Sequence, residues 1–170
     1  YYWQKHPFSI SKAYDGKNIR LSIKASGDFT KTVSNIPVNT PVWIDGPLGI
    51  FTSKIIKSEK ILFIAGGIGI TPIRAMLEEL GPKAKDMILI YGNKTKQDIV
   101  FFEELNQLSQ KYNFPIYHIL SNITAAEPGF EQGFVDKDKI VSHVKDLTER
   151  EIFICGPPIM LTKLVPTLKD

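Results

Sequence analysis

Three groups of residues have types and spacing that define a chemistry. The first is Gly66-Gly67-Ile68-Gly69-Ile70-Thr71-Pro72, set directly after the apolar run 61–65. A buried strand ending in glycines lets the backbone approach a ligand, and the N–H groups of the following helix point at it; chains hold a pyrophosphate this way. Gly67 and Gly69 fit the start of G-x-G-x-x-G, but Pro72 stands at its third position. Pro72 suits the first turn of a helix, where its missing N–H costs nothing. Taken alone, the segment reads equally as a tight strand-to-helix turn that binds nothing. The second group, Cys155-Gly156-Pro157-Pro158, ends another apolar run. Its glycine and prolines delay the next helix and leave space beside the thiol. No base is placed near Cys155 by spacing, so covalent thiol chemistry is not indicated. A buried inert cysteine fits, and so does a small soft side chain against a cofactor ring. The third group is His6-Pro7-Phe8-Ser9. Phe8 could pack on a planar redox ring, Ser9 could hydrogen-bond a ring nitrogen, and His6 could meet a charged tail. The plainer reading is a core Phe8, a surface Ser9 and a satisfied His6.

Two further turns are candidates. Gly27-Asp28-Phe29-Thr30 has free N–H groups and a hydroxyl that could hold a second phosphate, or simply cap a helix. Gly46-Pro47-Leu48-Gly49 carries no reactive group and reads as a shaped turn. Three histidines and one cysteine show no metal-ligand spacing.

These groups need a scaffold, and the chain has two textures. Residues 1–50 read as β with one short helix: strands over 7–11, 19–24 and 41–45, and a helix over 31–34 capped by Asp28 or Thr30. From residue 60 the pattern is β-α-β-α, with strands over 61–65, 87–91, 115–120 and 151–155. The helices fall over 73–80, 99–111, 137–145 and 159–168. Such alternation predicts a parallel sheet covered by helices on both faces, with ligands at the carboxyl ends of its strands. The positions to inspect are then 66–71, 92–94, 121–122 and 156–158. The boundary between the textures falls at 51–59.

Bulk properties exclude several classes. At 43% hydrophobic and 23% charged, the 170 residues have ordinary globular composition. A net charge of +3, evenly spread, gives no footprint for nucleic acid. The lone Cys155 rules out an internal disulfide and fits a reducing compartment. No stretch approaches the ~20 apolar residues of a membrane helix. The start lacks a Met and a signal-peptide core, so the chain is expected to be a fragment, and its parent could be a membrane protein.

In order, His6-Pro7-Phe8-Ser9, Gly27-Asp28-Phe29-Thr30, Asp45-Gly46-Pro47-Leu48-Gly49, Ala65 to Pro72, Tyr91-Gly92, Gly133-Phe134-Val135 and Cys155-Gly156-Pro157-Pro158 resemble the ferredoxin–NADP reductase family. The His-Pro-Phe-Ser variant is similar to its ferric reductase and NADPH oxidase branch. The resemblance implies the C-terminal part of an antiparallel FAD-binding β-barrel over 1–52. An α/β NAD(P)-binding domain follows over 53–170, without its last strand. It implies that Phe8 and Ser9 contact the isoalloxazine, with Pro7 beside them. His6 and the turn Gly27, Asp28, Phe29, Thr30 meet the ribityl and pyrophosphate. Gly66, Gly67, Gly69, Thr71 and Pro72 hold the dinucleotide, and Cys155, Gly156 and Pro157 border the nicotinamide.

On this resemblance the chain is part of an NAD(P)H-dependent flavin oxidoreductase. Hydride passes to FAD across about 3–3.5 Å, and no acid or base is required. Ser9 tunes the flavin and Cys155 shapes the gap. Electrons then go to a haem-bearing membrane domain, an iron–sulfur protein or oxygen, with the module on the cytoplasmic side. Where NADPH-preferring members place Arg after the third strand, this chain has Ser121-Asn122, with Lys94 as another candidate, so strict NADPH preference is not expected. Alternatives are the reductase subunit of a soluble oxygenase and a non-catalytic dinucleotide sensor on the same fold.

Overall fold

The apolar runs from residue 60 onward become a parallel sheet in the computed structural model, which describes residues 5–83, 85–123 and 127–168. Its strands are β1 (Lys60–Gly66), β2 (Asp86–Asn93), β3 (Ile116–Leu120), β4 (Phe130–Gln132) and β5 (Glu151–Cys155). The order is β4-β3-β2-β1-β5, and every neighbouring pair is parallel. The helices are α1 (Asp28–Thr32), α2 (Ile70–Leu80), α3 (Phe102–Tyr112), α4 (Lys137–His143) and α5 (Pro158–Thr167). The core has two layers because the strands are buried on both faces. Ile61, Phe63, Leu89 and Tyr91 meet Ile73 and Leu77 of α2 and Leu105 of α3 on one face. Leu62, Ile64, Ile90 and Ile119 meet Ile140 of α4 and Leu164 of α5 on the other. Helices therefore cover both faces, as the sequence pattern predicts. Among the described residues, no helix is long and apolar enough to cross a membrane.

Local differences from the sequence reading have identifiable causes. Helix α2 starts at Ile70 rather than 73, because Pro72 is the third helical residue, where no intrahelical N–H bond is due. Helix α3 starts at Phe102 rather than 99. Asp98 Oδ2 accepts from both Thr95 N (3.1 Å) and Thr95 Oγ1 (2.7 Å), closing a separate short turn, and Phe101 then adopts a left-handed φ of 63° before the helix begins. Strand β4 is three residues long, too short to show a period. Helix α1 begins earlier than expected, and Gly27, not Asp28 or Thr30, is its N-cap.

Of the strands expected at 7–11, 19–24 and 41–45, the described residues form one antiparallel bridge, Ile10 with Leu21. Alternation survives, with His6, Phe8 and Ile10 half-buried and Pro7 and Ser9 exposed. A lone ribbon is only marginally stable, however, and Ile19 and Leu21 have nothing packed over them at 47% and 37% exposure. At the boundary, Phe51 stands edge-on to Phe153 with ring centroids 5.5 Å apart.

His118 on β3 is 7% exposed, and neither ring nitrogen has a hydrogen-bond partner. It lies among Tyr91, Phe102 and Phe130, with centroids 5.3–5.9 Å away. Burial among these rings pushes its pKa down to about 4, so the folded chain keeps it neutral. The unfolded chain protonates first as pH falls below about 6.5, so stability is full above that value and is lost toward pH 4. Urea unfolding at pH 7.5 and pH 5 should differ by about 2 kcal/mol from this group. His118→Phe should flatten that difference.

Candidate functional site

The strand order sets the site. From β1 the chain adds β2, β3 and β4 on one side, then returns to place β5 on the other side of β1. The connections after β1 and β5 therefore part company at the carboxyl ends of those two strands, the place where open α/β sheets form their ligand crevice. The turn after Gly66 and the segment 155–158 both lie there.

The glycines in this crevice do different things. A Cβ on Gly69 would lie 2.2 Å from the Cys155 carbonyl oxygen, and one on Gly66 would lie 2.6 Å from Met160 Sδ and 2.8 Å from Pro157 Cδ. A Cβ on Gly156 would lie 2.8 Å from Met160 Sδ and 3.2 Å from the Gly66 backbone. These three glycines let the two turns touch each other, and no ligand is needed to explain them. Gly67 differs: its φ is +50°, and nothing lies within 4 Å of a Cβ built there. Its left-handed backbone is held from below, because the Tyr91 hydroxyl, on a side chain fully buried in β2, donates to the Gly67 carbonyl at 2.9 Å. Burial pushes the Tyr91 phenol up to about 12, so it remains a donor at all working pH. The sequence reading named Tyr91-Gly92 only as part of a family pattern. The hydroxyl of Tyr91 is the part of that pattern with a visible task.

Helix α2 follows with Gly69 as N-cap and no side-chain cap. The Thr71 hydroxyl, on a buried residue, donates to the Ile68 carbonyl at 3.0 Å and keeps lone pairs free. Pro72 removes one competing N–H. The Ile70 N–H is already given to the Gly67 carbonyl, but an open glycine, a helix start with no side-chain cap and no acidic residue in the first turn leave a place where a pyrophosphate fits the residues present.

Around this centre the other predicted residues fall as follows. Cys155 ends β5 half-buried, and burial raises its thiol pKa, so it stays a neutral thiol. Gly156 is half-buried and Pro157 is exposed beside it. Lys94 is exposed past the end of β2, and Ser121 is half-buried past the end of β3. Their segments are tied by Ser121 N donating to Asn93 O (3.0 Å) and Asn122 N donating to Lys94 O (2.8 Å). A Cβ on Gly92 would lie 2.8 Å from Val135 Cγ2, so the Tyr91-Gly92 and Gly133-Phe134-Val135 segments meet.

The N-terminal group also assembles. The His6 ring stacks on Phe29 with centroids 3.7 Å apart, and Phe8 lies 6.4 Å from the same ring. Helix α1 is thereby fixed to the 6–9 segment. Ser9 and Pro7 are exposed, while Gly27 and Asp28 lie open at the start of α1. The Thr30 hydroxyl is fully engaged by backbone: it accepts from Gly27 N (2.8 Å) and Ser26 N (3.0 Å) and donates to Gly27 O (3.0 Å). Its capping role is visible, and it has little capacity left for a phosphate.

The geometry separates two glycines that look alike in sequence. Gly69→Ala should cost at least about 3 kcal/mol in urea unfolding, because backbone must move to admit the methyl group. Gly67→Ala should cost only about 1 kcal/mol, the left-handed penalty of an L-residue in open space.

Comparison with known proteins agrees with this arrangement. The family model described as "Oxidoreductase NAD-binding domain" matches residues 63–165, and "FAD-binding domain" matches residues 1–52. NADH-cytochrome b5 reductase 2 of Mycosarcoma maydis is 34% identical over 139 residues, 78% of this chain and 39% of that protein. NADH-cytochrome b5 reductase 1 of Dictyostelium discoideum is 31% identical over 162 residues, 91% of this chain and 55% of that protein. The chain thus spans about half the length of such relatives or less. The flavohem-like FAD/NAD-binding domain of nitric oxide dioxygenase from Vibrio cholerae shares the fold, with a TM-score of 0.74 at 18% identity, covering 95% of this chain and 70% of that one. The chain belongs to the ferredoxin–NADP reductase-like family of FAD- and NAD-binding oxidoreductases.

Proposed function

We propose that this chain is the nicotinamide-binding half and part of the flavin-binding half of an NAD(P)H-dependent flavin oxidoreductase that delivers electrons to a one-electron acceptor. The observation that carries the reading is the crevice between β1 and β5. Gly67 is open there, Cys155 lies opposite, and the residues matched as FAD-binding precede it in the same chain. The nicotinamide and FAD, when bound, supply the hydride and electron chemistry themselves. The chain's residues bind, orient and exclude water.

In this reading the Gly67 backbone and the start of α2 hold the pyrophosphate, and Tyr91 holds the turn in the conformation that exposes Gly67. Gly66, Gly69, Thr71 and Pro72 shape the turn. Cys155, Gly156 and Pro157 bound the nicotinamide pocket, where Cys155 acts as a small neutral wall. Phe8, with Ser9 and Pro7 beside it, faces the flavin, and His6 and the residues 27–30 border its tail. Ser9, exposed and with no side-chain hydrogen bond among the described residues, is the hydroxyl available to a flavin ring nitrogen. Lys94 and Ser121 lie where the adenosine end would reach. Neither offers the bidentate fork of an arginine to a 2′-phosphate, which favours NADH. Haem is the favoured acceptor, since relatives 31–34% identical carry cytochrome b5 in their names. A ferric reductase-like haem domain is the form that His6-Pro7-Phe8-Ser9 resembles, and the module then lies on the cytoplasmic side of that membrane.

The full-length protein, loaded with FAD, should show flavin absorbance and reduce ferricyanide with NADH at least as efficiently as with NADPH. Absence of flavin binding and of reduction by either nucleotide overturns the reading. Cys155→Ala should retain FAD and lower the limiting rate of flavin reduction by on the order of tenfold through lost positioning. Because the thiol is already neutral, neither form should show a pH limb from Cys155 between about pH 6 and 8.5. Gly67→Ala should weaken NADH binding several-fold while the protein stays folded.

A further inference from the structure

Arg74 lies on α2, two residues past Pro72, and is 5% exposed. A charge buried to that degree is costly unless fully paired, and an apolar residue of similar size is often as stable in such a place. The helix does not need it for packing, since Ile70, Ile73 and Leu77 already have no exposed surface against the sheet. What Arg74 does is reach out of its own domain. Its Nη1 donates to Glu78 on the same helix and, at 3.3 Å, to the Ser11 carbonyl; its Nη2 meets Glu104 of α3 at 2.9 Å. Arg20 closes the ring from the other side. It donates to both oxygens of Glu104 (3.1 and 2.9 Å) and, through Nη2, to the same Ser11 carbonyl (2.8 Å). Glu78 in turn accepts the Ala13 N–H at 2.9 Å. Two guanidinium groups and two carboxylates balance in charge, with only Arg74 Nε left without a partner among the described residues, and they converge on the backbone of residues 11–13. Ser11 itself has no exposed surface. The described residues 5–24 form no ladder with the sheet, and this polar clamp, together with the Arg20 guanidinium 4.8 Å over the Phe101 ring, ties them to it.

The position of the clamp gives it a task. Ser11 is two residues beyond Ser9, and Arg74 is five residues beyond Gly69, whereas the chain between Ser9 and Gly69 is long. We propose that Arg74 is a positioning residue that sets the flavin-side segment 6–9 against the dinucleotide turn, with Glu78, Glu104 and Arg20 completing its clamp. The inference rests on the function proposed above. A misplacement of about 1 Å between reacting partners can cost roughly a hundredfold in rate. Loss of the clamp should therefore lower the rate of hydride transfer more than it changes the affinity for nucleotide.

The test uses the full-length FAD-loaded protein and three variants. Arg74→Met removes the fork, and Arg74→Lys keeps the charge with a single point of contact. Glu104→Gln weakens only the half-exposed side and guards against failure of the first to fold. Single-turnover flavin reduction across NADH concentrations gives the limiting rate and the Kd separately. Hydrogen exchange of residues 9–14, which contain the Ala13 amide, is compared with that of residues 61–65 in the absence of nucleotide. Arg74→Met should lose ten- to a hundredfold in limiting rate with Kd within about threefold, and Arg74→Lys should recover part of the loss. Glu104→Gln should fall between Arg74→Lys and the unaltered protein. Exchange over 9–14 should rise at least about tenfold in Arg74→Met, and exchange over 61–65 should stay within about twofold. A limiting rate unchanged in a folded variant, or one that falls only in step with FAD content and thermal stability, overturns the proposal. Unchanged exchange over 9–14 also overturns it. If the unaltered protein is not reduced by NADH or NADPH, the functional reading fails on its own, and the exchange comparison still decides whether the clamp exists.

Discussion

The contact on which the site depends is the backbone approach of the β1 turn to the end of β5. Gly69 lies so close to the Cys155 carbonyl that no side chain fits between them, and Gly66 and Gly156 are in the same position relative to Met160 and each other. Parallel pairing of Ala65 with Cys155 brings the two strand ends level, and the glycines then allow the connections beyond to touch before they diverge. Any Cβ inserted there would separate the two walls of the crevice. The fourth glycine, Gly67, is not part of that contact. Its carbonyl is held from the core by Tyr91 while its Cα side is open. One turn thus combines a packed half that fixes the width of the crevice and an open half that can receive a ligand.

Buried polar groups in the chain follow two opposite rules. His118 is surrounded by aromatic rings, has no partner, and is kept neutral by burial. Arg74 is buried to a similar degree but cannot be neutralised, since guanidinium stays protonated at any working pH. It therefore carries two carboxylates and a carbonyl with it. Only Arg74 is deeply buried in this set, since Glu78, Glu104 and Arg20 keep 25%, 37% and 32% of their side chains exposed, and an apolar residue of the same volume would often be as stable in its place. Such a charge set is better explained by the geometry it enforces than by the stability it adds. Arg150 at the opposite end of the sheet follows the same rule, bridging Asp86 and Asp146 at 2.9 and 2.7 Å, and it fixes the amino ends of the strands rather than the site.

The sheet and its helices were legible because their signals are long and continuous. The run 61–65 is apolar on both faces, which only a strand covered on both sides explains, and α2 and α3 keep helical spacing across many residues. The meeting of the 66–72 and 155–158 turns at the carboxyl end of the sheet was legible too, since it follows from strand alternation and from where glycine and proline interrupt it. Three kinds of feature were not. Strand β4 has three residues, too few for a period to appear. The start of α3 depends on the Thr95–Asp98 turn and the left-handed Phe101, which shift a boundary without changing composition. The clamp was invisible because Arg74 and Glu78, spaced i to i+4, look like an ordinary solvent-facing pair on a helix. Only the fold shows that residues 11–13 cover them. The glycines were read as one ligand-holding group, and spacing alone cannot tell a glycine required by a neighbouring carbonyl from one left open.

The N-terminal segment is held in a way unlike the sheet. Val38, Trp43, Leu48 and Ile50 are 77–101% exposed, so little apolar burial anchors residues 36–50. Exposed apolar side chains gathered in one stretch are a surface suited to being covered, and the FAD-binding family match ends at residue 52, just beyond them. Their own hydrophobic contacts cannot fix the 6–9 segment relative to the crevice. What ties it to the sheet domain among the described residues is largely polar and directional: the Arg74–Ser11 and Arg20–Ser11 bonds, the Arg20–Glu104 pair and the Ala13–Glu78 bond. Directional bonds suit this role because apolar surfaces slide at little cost, while a guanidinium fork aimed at one carbonyl has a single register. On the function proposed above, the reaction needs no acid or base from the protein, placement is the protein's main contribution, and the clamp would assign that placement to hydrogen bonds.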